Sequence, residues 1–156
     1  MERTQSTIVL LEPAEPLFTF ARVREHLSRT GRPLAAGPDG RVLQCTWDAG
    51  GESIPVAMRA LHTNAGKEWL ALAIPLGAAE EFRPRAALVA NDVLPLGALA
   101  NWKGTMLLRQ TLPLTSLTGP QLEQALTSMV HAARLILLGR SGRGLAFLYA
   151  DGGATP

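Results

Sequence analysis

The sequence predicts an α+β fold: an antiparallel sheet of about five strands with helices packed on it, in the order α-β-β-β-α-β-β-α. Three observations favour this fold. Apolar residues recur at helical spacing in an early, a middle and a late segment of the chain. Between these segments, apolar residues alternate with others in short runs, which is typical of strands. Short turns rich in glycine and asparagine join neighbouring runs, as in antiparallel hairpins.

The first helix is predicted over residues 16–30, because Pro16 suits the first helical turn and Gly31 can end the helix. The apolar residues that recur along one of its faces are Leu17, Phe20, Val23 and Leu27. The residues that precede this helix, 1–15, are predicted to form an N-terminal arm, with an added edge strand of the sheet as the alternative.

Three strands are predicted next, at residues 41–47, 53–62 and 68–76, with short turns between them. In the second of these strands, Ile54, Val56 and Met58 alternate with other residues, as on a sheet with one buried face. Pro55 has no backbone N–H to donate, so it indicates a sheet edge or a bulge at this position.

A second helix is predicted over residues 80–94, and a compact hairpin follows it. The residues that share one face of this helix are Phe82, Ala86, Val89 and Ala90. The hairpin has strands at residues 96–100 and 105–112 and a turn at 101–104, in which Gly104 suits a positive φ. The segment therefore completes the predicted sheet.

The last helix is predicted to begin at Thr118, because Thr118 and Gln121 have the spacing of a capping box. Gly139 is placed to end it. The apolar residues of its buried face are Leu122, Leu126, Met129, Ala133 and Ile136. Residues 16–138 are thus predicted to form a single α+β domain, and residues 139–156 a glycine-rich C-terminal tail in which 145–149 could form a small strand.

Composition excludes several classes of protein. The chain has 156 residues, enough for one domain, and a formal net charge of +2. No run of like charges exceeds two residues, so a nucleic-acid partner is not expected. The single cysteine, Cys45, cannot form a disulfide within the chain. No segment resembles a signal peptide or is long and apolar enough to span a membrane, so we expect a cytoplasmic, bacterial-type protein with no membrane partner.

Residues with catalytic or metal-binding chemistry form no recognisable group in this sequence. His26, His62 and His131 are far apart and lack the spacing of metal ligands. The sequence has neither a nucleophile elbow nor a phosphate-binding loop. We therefore expect no catalytic residues, no metal and no cofactor, and we do not expect an enzyme.

A longer pattern begins at Asn91, which precedes an apolar-glycine turn at Gly97. The hairpin, a Leu-x-Leu exit at Leu112 and Leu114, and the long helix from Thr118 follow. This pattern resembles the YbjN-like group, which shares the fold of the class I type III secretion chaperones. The resemblance covers residues 17–138.

The resemblance implies a dimerising α+β domain that binds protein partners rather than an enzyme. Secretion chaperones hold an extended partner segment by strand addition and by filling of grooves. They are typically acidic, whereas this chain is mildly basic. The resemblance therefore implies a protein-binding role without naming the partner.

Trp102, Lys103 and Arg109 are the candidate partner-binding residues, because an indole at a hairpin tip beside a lysine can anchor a partner. The alternative is that Trp102 folds back onto the sheet. Leu135 and Leu138 broaden the apolar arc of the last helix and are candidate homodimer contacts, with burial inside the domain as the alternative.

The predicted function is that of a non-enzymatic protein-binding domain, chaperone-like or regulatory. It would act as a homodimer that binds a segment of a protein partner. The alternative is a small-molecule or nucleotide-binding sensor domain.

Overall fold

The computed structural model describes residues 14–37, 39–94 and 97–150. This part of the chain contains three α-helices and one six-stranded sheet. The elements are α1 (Phe20–Arg29), β1 (Leu34–Ala36), β2 (Val42–Ala49), β3 (Glu52–His62), β4 (Glu68–Ala78), α2 (Pro84–Val93), β5 (Ala98–Trp102), β6 (Thr105–Pro113) and α3 (Gly119–Leu138). The α+β fold is as predicted.

The sheet is antiparallel throughout, with the strand order β1-β2-β3-β4-β6-β5. It has one strand more than expected. The additional strand, β1, has three residues and pairs with β2 between Leu34–Cys45 and Ala36–Leu43. Three residues are too few for alternation to be recognised in a sequence, so no strand was predicted there.

The hydrophobic core lies between one face of the sheet and the helices. We call this face the core face; it carries the large aliphatic side chains of β2, β3, β4 and β6. Helix α1 adds Val23 and Leu27 to the same core. Helix α3 adds the complete stripe that its periodicity predicted: Leu122, Leu126, Met129, Ala133 and Ile136 are all buried.

Helix α1 begins at Phe20, later than the predicted start at Pro16. Pro16 instead forms a β-bridge with Thr118, and Phe18 has a φ of 63° as the chain turns toward the helix. Thr19 is the N-cap, because its side chain accepts a hydrogen bond from the N–H of Arg22. The prediction of the start was therefore wrong, since the tertiary bridge and a better cap compete with the helical preference of proline.

The second predicted helix is divided by Phe82. A short 3-10 turn at Ala79–Glu81 ends there, Phe82 bridges to Tyr149, and α2 starts at Pro84. The predicted buried face was partly wrong, because Ala87 and Ala90 are the buried positions of α2 and Val89 is exposed. The aromatic contact between Phe82 and Tyr149, 4.7 Å between ring centroids, holds Phe82 outside the helix.

The β5–β6 hairpin turns tightly at its tip. Trp102 pairs with Thr105, so the loop consists of Lys103 and Gly104, which have φ values of 49° and 85°. The expectation of a positive φ at Gly104 is confirmed, and a two-residue loop with two positive φ values matches the right-handed twist of the strands. The side chain of Asn101 supports the turn by accepting a hydrogen bond from the N–H of Gly104 at 3.0 Å.

Residues 139–150 pack against the domain, although the sequence assigned them to a tail. The small strand expected at 145–149 was wrong, because Ala146–Leu148 forms a 3-10 turn. Leu148 and Tyr149 are buried, and the Tyr149 hydroxyl donates to the carbonyl of Ile136 at 2.8 Å. The division of the chain at residue 138 stays a prediction. Most of the predicted N-terminal arm (1–13) and residues 151–156 lie outside the described residues.

Pro55, for which the sequence indicated a sheet edge or a bulge, lies on β3, an interior strand of the sheet, where it pairs with Thr46 of β2 beyond the end of the pairing with β4. The pairing of β3 with β4 runs from His62–Glu68 to Ala57–Ala73 and stops there. If this register continued, Pro55 would face Pro75, and neither residue has an N–H to donate. The two prolines therefore end the ladder, and the strands separate beyond them.

Asn91, the first residue of the pattern described above, lies on α2 and binds the outer edge of β5. The N–H of Leu99 donates to the Asn91 side-chain oxygen at 2.6 Å, and the Asn91 amide donates to the carbonyl of Leu99 at 3.2 Å. Asn91 thus satisfies both backbone groups of Leu99, the second residue of the edge strand β5.

Replacement of Asn91 by alanine is expected to lower the free energy of unfolding by about 1–3 kcal/mol, because it leaves two part-buried backbone groups unpaired. Urea denaturation measures this change. Asp92→Ala is the matched control, since Asp92 is exposed on the same helix turn. Equal stabilities of the two variants would contradict the assigned role of Asn91.

Candidate functional site

The second face of the sheet, which we call the open face, carries mostly apolar side chains, with some threonine, serine and glutamine among them. In each strand these side chains alternate with those of the core face. A sheet face in contact with water is usually polar. The charged residues among the described strand positions of this face are only three: Asp48, Arg59 and Arg109. Its composition is therefore that of a surface to be covered.

A cavity of about 260 Å³ lies on the open face. The short side chains of Ala57, Ala71, Ala73 and Ala100 form its floor. Larger side chains, among them Val42, Leu107 and Trp102, surround the floor. Because alanine ends at Cβ, a patch of alanines between longer neighbours leaves a hollow. No residue of α1, α2 or α3 lines this cavity.

Arg59 and Arg109 both line the cavity, and both are exposed. Arg109 lies on β6 opposite Ala73, and Arg59 lies on β3 opposite Ala71. Neither arginine side chain forms a hydrogen bond or ion pair with another residue in the described part of the chain. The cavity therefore combines an apolar floor with two positive charges at its rim.

The predicted partner-binding residues come together at this cavity. Trp102 and Arg109 line it directly, and Trp102 is 53% exposed. Lys103 lies at the hairpin turn beside them, with its ammonium group 5.3 Å from the centre of the Trp102 ring. Their role in binding stays a prediction. Sequence analysis did not find the alanine floor or Arg59, because only strand register places them beside Trp102.

The edges of the sheet offer few groups for strand addition. On one side, β1 has only three residues and follows Pro33. On the other side, Asn91 occupies both backbone groups of Leu99 in the five-residue strand β5. Edge strands protected in this way resist pairing with further strands. The open face is therefore a better candidate for binding than either edge.

The predicted dimer contacts lie on α3 and differ in exposure. Leu135 is 37% exposed, whereas Leu138 is half-buried. A larger apolar surface lies on α2, which the sequence analysis missed. There Leu88, Val89 and Val93 are 68%, 60% and 72% exposed. The signal was present in the sequence, since α2 has apolar residues on both faces, whereas a helix that covers a sheet needs only one.

The only cysteine, Cys45, lies on the core face and is buried. Burial raises the pKa of its thiol, an effect that the nearby Arg32 opposes and Glu123 reinforces. The guanidinium group of Arg32 lies over the Trp47 ring, 3.5 Å from its centre. Arg32 also pairs with the Glu123 carboxylate at 2.8 Å, and His26 contacts the same carboxylate at 3.2 Å. This group ties α1, β2 and α3 together.

No candidate metal centre is found among the described residues, since no three His, Cys, Asp or Glu side chains are grouped in a way that could hold an ion. In the same part of the chain, none of the helices is long and apolar enough to cross a membrane.

Comparison with known proteins bears on the fold. No family model matches the sequence, and no curated protein matches it. Among solved structures, a chain of the HopA1–SchA chaperone–effector complex matches with a TM-score of 0.53 and 14% identity, over 72% of this chain and 88% of that chain. The chain has the type III secretion chaperone-like fold.

A second solved structure with a similar arrangement is the Yersinia pestis type III secretion chaperone SycH in complex with a fragment of YscM2. It matches with a TM-score of 0.48 and 19% identity, over 72% of this chain and 94% of that chain. The resemblance to the YbjN-like group stays a prediction. At 14% identity, the match to the HopA1–SchA complex shows the fold of this chain and leaves its partner open.

Because the pKa of Cys45 is raised in the folded state, its thiol ionises in the unfolded chain first as the pH increases. Its contribution to stability is therefore complete below the usual pKa of 9.0 and is lost as the pH rises above it. We expect the free energy of unfolding to fall less steeply above pH 9 in Cys45→Ala than in the wild type. Denaturation at a series of pH values measures both slopes.

A second readout uses a thiol reagent at pH 8. Cys45 is expected to react at least about tenfold more slowly in the native protein than in urea, because the thiol is both buried and protonated. Equal rates in the two conditions would show that the thiol is accessible and would contradict its place in the core.

Proposed function

We propose that this protein is a non-enzymatic protein-binding module, chaperone-like or regulatory, that binds a segment of a partner on the open face of its sheet. The observation that carries the proposal is the uncovered apolar face with a cavity next to Trp102 and Arg109. Apolar surface of this kind is found where a protein or ligand binds. The flat alanine floor suits a chain segment, which can extend beyond the cavity in both directions.

The fold supports the same proposal. The HopA1–SchA complex, which shares the fold, contains a chaperone and an effector. Because a protein of this fold occurs in a complex with a protein partner, we expect a protein partner here as well. The fold by itself does not fix the function. Whether the module acts as a chaperone or as a regulator depends on the partner, and a cytoplasmic location remains part of the proposal.

We further propose that the protein acts as a homodimer, with the exposed apolar residues of α2 at the interface. Leu88, Val89 and Val93 lie on the outward side of this helix. Leu135 and Leu138 on α3 are the competing surface, with less exposed area. Isologous interfaces bring the same patch of two subunits together, so one apolar helix face is sufficient to form one.

The alternative, a small-molecule or nucleotide sensor, is supported less well. Such sites orient a ligand with a few well-placed polar groups in a mostly apolar pocket. The polar residues that line the cavity on the open face, Arg59, Asn101 and Arg109, are all exposed. A second cavity of about 690 Å³ lies beyond Arg59 and carries charges of both signs, but its polar residues are likewise not buried. A thermal-shift screen with nucleotides tests this alternative.

Ala73→Glu is expected to abolish capture of the partner, because a carboxylate on the cavity floor fills the hollow and opposes apolar contact. Affinity purification with mass spectrometry, followed by binding of the identified partner to purified variants, measures the loss. Ala21→Glu makes the same change at an exposed position of α1 and should bind as the wild type does. Ala100→Glu serves as a second test if Ala73→Glu unfolds. Undiminished binding of both cavity variants would refute the open face as the site.

The double substitution Val89→Asp and Val93→Asp is expected to convert a dimer into a monomer, because two carboxylates would be buried at the interface. Light scattering during size-exclusion chromatography gives the mass. Leu135→Asp is the control for the surface on α3. A dimer that survives the α2 changes and is lost with Leu135→Asp would move the interface to α3, and a monomeric wild type would rule out the homodimer.

A further inference from the structure

We infer that the segment bound on the open face presents one large apolar side chain flanked by two carboxylates about four residues apart in an extended stretch. This inference rests on the proposed function and specifies the chemistry of its partner. It follows from the charge of the residues that line the cavity on the open face, from the distance between its two arginines, and from the volume of the cavity.

The charge around the cavity has one sign. Arg59 and Arg109 are the charged residues of its lining, and no acidic residue lines it. The acidic side chain of the open face, Asp48, lies at the far end of β2 and accepts a hydrogen bond from Ser53 at 2.7 Å. An occupant that covers two arginines and leaves them unpaired loses their solvation, so a binding segment must supply carboxylates.

The spacing of the two arginines follows from the register. The two arginines are two strands apart, because β4 lies between β3 and β6. Arg59 pairs with Ala71 of β4 and Arg109 pairs with Ala73, so along the strand direction the arginines are offset by two residues. Strand spacing and rise place their Cα atoms about 12 Å apart along a diagonal. In an extended segment, residues i and i+4 are about 13 Å apart and point to the same side. Carboxylates at these two positions therefore reach both guanidinium groups.

The residue midway between these carboxylates, at i+2, points to the same side and lies over the alanine floor. A cavity of about 260 Å³ accepts one large aliphatic or aromatic side chain. Trp102 forms a wall of this cavity and is half-exposed, so an apolar side chain there would cover the indole. The expected pattern is acidic-x-apolar-x-acidic.

Other occupants fit the open face less well. A second copy of this chain that bound through the same face would bring two more arginines to the interface, with only Asp48 of each copy to offset them. A nucleic acid would supply negative charge, but stacking of successive bases needs several exposed aromatic side chains along a basic groove, and Trp102 is the only aromatic residue in the lining of this cavity. An acidic peptide segment satisfies both the charge and the apolar floor.

Selection from a displayed library of random 12-residue peptides tests the inference, with the full chain immobilised. We expect selected peptides to carry Asp or Glu three to five residues apart around an apolar residue. A synthetic peptide of the most enriched sequence is then measured by fluorescence anisotropy. Arg59→Glu and Arg109→Glu should each weaken its binding by at least about tenfold. Arg143→Glu makes the same charge change at an exposed site outside the cavity and should leave binding unchanged.

The double substitution of Arg59 and Arg109 by glutamate tests for a gain of binding, which an unfolded variant could not show. The same library should now yield peptides with Lys or Arg in the flanking positions. Peptides that lose binding in Ala73→Glu but show no acidic preference would overturn this inference and leave the proposed function standing. A library that yields no peptide bound to the open face would also overturn the inference. So would a labelled single-stranded oligonucleotide that binds more tightly than the selected peptide and displaces that peptide.

Discussion

The burial of large aliphatic side chains on one face of the sheet is the interaction on which the rest of the structure depends. Leu70, Leu72 and Leu108 on that face are fully buried under the helices. Because side chains alternate along a strand, the same register that places them inward directs Ala73 and Arg109 outward. The core and the candidate site are thus two consequences of one register, and a slip by one residue would exchange them.

Specific residues limit strand pairing both at one edge of the sheet and inside it. Asn91 binds the edge of β5, and Pro55 and Pro75 end the pairing of β3 with β4. Beyond the prolines, the register of β4 with β6 shifts, and the Arg140 side chain donates to the carbonyl of Leu76 at 2.6 Å. A protected sheet edge discourages strand pairing between chains. The open face is then the part of the sheet whose apolar side chains remain uncovered.

The elements and their order could be predicted from the sequence because periodicity and caps are local properties. The buried stripe of α3 and the capping box at Thr118 depend on neighbours three to four residues away, and both predictions were right. The start of α1 and the division at Phe82 could not be predicted in this way. They depend on Thr118 and Tyr149, each distant in sequence from the residue that it holds.

By itself, the sequence determined the α+β class, the core stripe of the last helix and the positive φ at Gly104, and it singled out Trp102 and Arg109 as candidate binding residues. The tertiary structure decided what these two residues share, since they line one cavity with Arg59 and an alanine floor. The physical reason is that strand register joins residues from β3, β4, β5 and β6, and no local pattern reports which strands are neighbours. The same holds for α2, whose apolar outward side is recognised only when its inward side is known.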